Sequence, residues 1–191
     1  MKILVTYPNS IAGTLILKGF AEGFRQNGCR VLAKDLRELK PEEVNAFEPD
    51  MILGYDYGFL FYDNPELNQV ILNSSAKIVS YFADEPCGKF AVVEQSELFN
   101  KFLSIAKTGR IVSYIWDKDF VLTIPNAKYL PLAADIEKYS KYPQGNYKYE
   151  ISFVGRPLTE VRQRNLAQIV KHFGDKLSIF SYEKHFLRSI E

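Results

Sequence analysis

The sequence predicts an α/β chain: a Rossmann-like, doubly wound parallel sheet, followed by the start of a second Rossmann-like domain. Two observations predict it. Short apolar, β-branched runs alternate with amphipathic stretches at a steady spacing, as expected of buried parallel strands joined by helices. The rhythm then breaks at Tyr139 to Tyr149, a stretch rich in Tyr, Lys, Pro, Gly and Asn, and resumes at Ile151-Ser-Phe-Val-Gly155. Residues 1–138 are therefore expected to form one domain, 139–150 a linker, and 151–191 the incomplete opening of a second.

The elements follow in order. Lys2 to Thr6 is a short apolar run bounded by Pro8-Asn9-Ser10, which reads as a buried strand and a loop. Thr14 is expected to cap a helix whose apolar stripe is Leu15, Leu17, Phe20, Ala21 and Phe24, with Gly28 ending it. Arg30 to Ala33 is a second strand. Pro41-Glu42-Glu43 opens a short helix, because proline suits the first turn and acids suit the positive end of the dipole. Met51 to Gly54 is a third strand. Asn64-Pro65-Glu66 caps a helix that runs to about Asn73. Lys77 to Phe82 is a fourth strand, and a helix covers Glu94 to Ile105. Ile111 to Ile115 and Lys128 to Leu132 are the fifth and sixth strands. After the linker, Ile151 to Val154, a helix capped by Thr159 and carrying Leu166, Ile169, Val170 and Phe173, and a strand at Lys176 to Phe180 form a separate small layer. Val5, Leu53, Val79 and Phe153 are the expected core markers.

Composition excludes several classes. A net charge of +1 leaves no bulk electrostatic case for nucleic acid. Two cysteines, Cys29 and Cys87, far apart, make neither a disulfide framework nor a thiolate metal site, and point to a cytoplasmic setting. His172 and His185 lack metal-ligand spacing, so no metal is expected. No basic leader precedes the first strand, so no signal peptide is expected, and no apolar run is long enough for a transmembrane segment. The oligomeric state is not legible.

In a doubly wound sheet, ligands bind beyond the carboxyl ends of the strands, so the loops there are the candidates. Pro8 to Thr14 joins a strand to a helix N-terminus. Asn9, Ser10 and Gly13 offer polar atoms and close backbone approach to a substrate, in a loop that faintly resembles the flavodoxin phosphate loop; an ordinary capped turn is the alternative. Asp84-Glu85 follows an apolar strand. Two adjacent carboxylates repel, which leaves one with a raised pKa suited to a general base; a capping Asp beside a solvated Glu is the alternative. Tyr57 in Tyr55-Asp-Tyr-Gly-Phe59 is a stacking candidate, against a core-covering role. Asp117 follows the fifth strand. Gly155-Arg156 combines close backbone approach with a fixed guanidinium fork for phosphate, although such turns are also common on surfaces.

Three segments together resemble a known family. They are Lys77-Ile-Val-Ser-Tyr-Phe-Ala-Asp-Glu-Pro86, Tyr129-Leu-Pro-Leu-Ala-Ala-Asp135 and Ile151-Ser-Phe-Val-Gly155 with an arginine-bearing helix after it. In this order and spacing they resemble the CgeB-type, spore-maturation-protein-like glycosyltransferases, which are similar to GT-B enzymes. The resemblance implies two Rossmann-like domains facing a cleft, with transfer of a sugar from a nucleotide-sugar donor to an unknown acceptor. It implies an acceptor-side first domain, donor diphosphate near Gly155 and Arg156, and no cofactor or metal beyond the nucleotide-sugar co-substrate. The chain departs from the pattern: it stops at Glu191, so the base- and ribose-gripping part of the second domain is expected to be missing, and no lysine partner for Arg156 is evident. Two readings from other classes stay open: a non-catalytic α/β module for a small ligand or protein, and a flavodoxin-like flavin carrier.

Overall fold

A computed structural model describes residues 1–84, 93–133, 150–154 and 160–180. The chain divides into two compact units, Met1–Asp135 and Ile136–Glu191.

The first unit is built on β1 (Lys2–Tyr7), α1 (Ile11–Gln26), β2 (Arg30–Asp35), α2 (Pro41–Phe47), β3 (Met51–Tyr55), α3 (Pro65–Asn73), β4 (Lys77–Phe82), α4 (Val93–Lys107), β5 (Ile111–Ile115) and β6 (Lys128–Tyr129), with 3-10 turns at Gly58–Leu60 and Lys118–Thr123. All five strand pairings are parallel, and the order is β2-β1-β3-β4-β5-β6. The fold is thus a Rossmann-like α/β sheet with helices on both faces. Its order is that of flavodoxin-type sheets, in which the chain reverses direction between β1 and β3.

Two cores sandwich the sheet. On one face Leu4, Ile52, Ile78 and Ile111 stand side by side in register and pack against Val44 of α2, Leu67 and Ile71 of α3 and Phe102 of α4. On the other face Val5, Leu53 and Val79 pack against Leu17 and Ala21 of α1. Each large aliphatic side chain buried here stabilises the fold by roughly 1.5–3 kcal/mol. The expected core markers Val5, Leu53 and Val79 are 0%, 3% and 6% exposed.

Two steps toward the carboxyl ends, the first face carries a row of small residues: Thr6, Gly54, Ser80 and Ser113. The row makes room for a ring. Phe59, from the 3-10 turn after β3, lies over Gly54 so closely that a Cβ at residue 54 would fall among its ring carbons. One step further, Tyr55, Tyr81 and Tyr114 form a tyrosine row on the opposite face.

Several expectations are corrected here. Ser10, not Thr14, caps α1: its backbone is extended at φ −145°, and its hydroxyl accepts from the Gly13 N–H at 3.1 Å. The Thr14 hydroxyl instead donates to the Pro8 carbonyl at 2.9 Å. With the helix starting earlier, its inward line is Gly13, Leu17 and Ala21, and Leu15 is turned outward at 56% exposure. The sixth strand is two residues long: only Lys128 and Tyr129 pair with β5. The second strand runs on to Asp35, in register with Tyr7.

The second unit contains β7 (Ile151–Val154), α5 (Glu160–Phe173), a 3-10 turn at Gly174–Lys176 and β8 (Leu177–Phe180). β7 and β8 pair in parallel as a two-stranded sheet of their own. Leu166 of α5 is buried, and Lys176 pairs with Glu150 at 3.3 Å. Phe153, expected to be buried, is only partly so: among the described residues of this unit, one helix serves two strands and cannot cover both faces. The expected cap Thr159 lies outside the described residues.

Candidate functional site at the carboxyl edge

Where a parallel sheet reverses its winding, the connections after two neighbouring strands leave toward opposite faces and open a crevice. Here α1, after β1, packs on one face, while the turn and helix after β3 pack on the other. The loop after β1 and the end of β3 therefore flank the switch point.

Gly13 sits at the close approach of these two walls. A Cβ at residue 13 would meet Pro8 Cγ and Ser10 Oγ at 2.7 Å and Tyr55 Cδ2 at 3.2 Å. So the first turn of α1 leans directly on the Tyr55 ring. At its far end Tyr55 donates its hydroxyl to Asp84 Oδ2 at 2.8 Å. This bond joins the carboxyl ends of β3 and β4, and Asp84 itself is exposed. Burial, then the hydrogen bond to Asp84, holds the Tyr55 phenol well above its ordinary range. It stays a donor wherever the carboxylate is ionised.

Asp56 is the group that sequence reasoning passed over. It sits just past β3 in the left-handed conformation, φ 47°, which Asp tolerates better than most residues. Its backbone is fastened to β4: the N–H donates to the Tyr81 carbonyl at 2.8 Å, and the Ser80 hydroxyl donates to its carbonyl. Its carboxylate accepts from the Gly58 N–H. Burial pushes this carboxyl up to about 6; the Asp84 charge adds to the rise, and the Gly58 N–H opposes it. The edge therefore holds two carboxylates in different settings, one exposed and phenol-bound, the other half-buried and raised by that burial. The only hint in the sequence was an acidic residue between Gly54 and Gly58 at a strand end.

The structure brings together Ser10, Gly13 and Asp84 through Tyr55, with Asn9 exposed in the same loop after β1. Asp117 lies further along the edge, after β5, where its carboxylate accepts from the Asp119 N–H at 2.9 Å and caps a 3-10 turn. Tyr57 turns into the core, its ring centroid 5.5 Å from Phe99 and 5.9 Å from Phe102. Glu85, Gly155 and Arg156 lie outside the described residues. Among the described residues no group of three or more potential ligands is placed to hold a metal, and no helix is long and apolar enough to cross a membrane.

Comparison of the chain with protein-family models, with curated proteins and with solved structures finds no match.

Proposed function

We propose that this chain acts as a glycosyltransferase that uses a nucleotide-sugar donor, with its first unit on the acceptor side. The observation that supports it best is the exposed Asp84 carboxylate at the end of β4, held by Tyr55 beside the β1/β3 switch point. That is where a doubly wound sheet presents groups to a ligand, and a carboxylate there suits the activation of an acceptor hydroxyl. In the proposed step the acceptor oxygen forms a bond to the anomeric carbon while its proton passes to Asp84. The bond from that carbon to the diphosphate oxygen breaks, and the nucleoside diphosphate leaves with the electron pair. The loop at Asn9, Ser10 and Gly13 lines the acceptor side. The resemblance assigns the donor diphosphate to Gly155 and Arg156, and Glu85 stands next to Asp84 as the alternative base.

The test is turnover of nucleotide-sugar donors by the full chain, with Asp84→Asn, Glu85→Gln and Arg156→Ala alongside. Loss of a general base lowers the rate ~10²–10⁴-fold. Full activity in all three variants removes these residues from the mechanism. No binding of any common donor by calorimetry replaces the enzyme by a non-catalytic ligand-binding module.

One observation favours a second reading. The strand order is that of flavodoxin-type sheets, whose β1/β3 switch point holds a flavin. Flavin absorbance in the purified protein decides for that reading at once, and its absence after incubation with free flavin mononucleotide decides against it.

A further inference from the structure

One side chain joins the N-terminal turn of α1 to the Asp84 carboxylate. The Tyr55 ring abuts Gly13 on one side, and the Tyr55 hydroxyl reaches Asp84 on the other. The ring has little freedom. It projects from the last residue of β3, in register with Tyr81 of β4, which is itself fully buried. A Cβ at residue 13 would stand 3.2 Å from the Tyr55 ring, so a side chain there would crowd it.

We propose that Tyr55 is a positioning residue: wedged against Gly13 and tied to Asp84, it passes the seating of the β1–α1 loop on to the orientation of the Asp84 carboxylate. The role of Asp84 as base rests on the glycosyl-transfer reading; the tether itself does not. An acceptor that settles against Asn9 and Ser10 presses on the same turn that holds the Tyr55 ring. Correct seating and correct carboxylate orientation then come together, which makes Tyr55 a device for the catalytic step more than for affinity.

Two measurements on the full chain test this. The first needs no activity. With tyrosine labelled at Cζ, the Tyr55 signal is compared by NMR at neutral pH in the wild type and in Asp84→Ala. Asp84 is exposed, so its removal leaves the core intact. Because the Cζ shift reports the hydrogen bond that the phenol makes, the Tyr55 signal is expected to move in the variant while the signals of Tyr81 and Tyr114 stay in place. An unmoved Tyr55 signal overturns the tether. The second is kinetic. Tyr55→Phe keeps the ring and loses the hydroxyl, and should lower kcat about tenfold or more, the loss expected for one hydrogen bond to a charged group, with the acceptor KM little changed. An unchanged kcat, or a change confined to KM, overturns the positioning role. If the wild type turns over no donor, the glycosyl-transfer reading falls, and the NMR comparison alone decides whether Tyr55 holds Asp84.

Discussion

Phe59 occupies the space that a side chain at residue 54 would need. Its ring lies against the bare α-carbon of Gly54 in the middle of β3, within the row that runs Thr6, Gly54, Ser80 and Ser113. Phe59 is 1% exposed, so the ring has no solvent to retreat into. The turn that carries it begins two residues after Asp56. Core packing on this face and the backbone course at the candidate site are therefore one problem.

Gly54→Ala forces either the ring or the strand to move. Overpacking of this kind costs about 1–3 kcal/mol, and the pinned position of Phe59 places the expected loss toward the upper end. Urea titration measures it. Phe59→Leu in the same chain should recover part of the loss, and a double-mutant cycle should show the two positions coupled.

Asp56→Asn should change how stability depends on pH. The folded carboxyl is raised to about 6 from an ordinary value of 3.8, so the folded state holds this proton more tightly than the unfolded state. The stability it contributes is full below about pH 4, is lost as pH rises from about 4 to about 6, and stays lost above. Asparagine has no proton to lose, accepts the same N–H from Gly58 and tolerates the left-handed backbone. The variant should lack this decline and exceed the wild type in stability at pH 7. Chemical denaturation at a series of pH values checks both points.

Ser113 is fully buried on β5, and its hydroxyl finds no hydrogen-bond partner among the described residues. Removing an unpaired buried hydroxyl relieves a desolvation penalty, whereas removing a paired one loses a bond. Ser113→Ala should leave stability unchanged or raise it. Ser80→Ala, one strand away, should lower it, because Ser80 donates to the Asp56 carbonyl. Thermal melts of the two variants side by side separate the cases.

Ser10→Ala removes the cap of α1 and should cost about 1 kcal/mol, while Ser10→Asp, which can still accept from the Gly13 N–H, should cost little. Denaturant midpoints at constant slope report the difference.

The strands were legible because parallel strands buried on both faces are nearly continuous apolar runs. Lys77–Phe82 and Ile111–Ile115 match their expected bounds to the residue. Caps were less legible where two hydroxyls compete. Ser10 and Thr14 are both plausible from composition, and the extended backbone at Ser10, which decides between them, is a property of the folded loop. Strand ends name Asp84 and the Pro8–Thr14 loop as candidates, and the structure places both at the carboxyl edge of the sheet. Tyr55 as the link and Asp56 as the carboxyl raised by burial were not legible. The Tyr55–Asp84 bond joins residues 29 apart, and the behaviour of Asp56 comes from burial against β4, which no local pattern records. Tyr57 was chosen for its aromaticity, and aromaticity serves a core as readily as a ligand.

The two-residue β6 has a consequence for association between copies of the chain. A parallel sheet ends in strands whose outer N–H and C=O groups stand ready to pair with any extended chain. At one end of this sheet the ladder stops after Lys128 and Tyr129, and two residues later Pro131 has no N–H to offer an incoming strand. At the other end β2 carries Arg30, Lys34 and Asp35, charges that a fibril would have to stack against their own kind. Both borders of the sheet thus resist edge-to-edge growth. Pro131→Val would restore an outward donor at the shorter border and so weaken that defence, inviting amyloid-like recruitment of further chains.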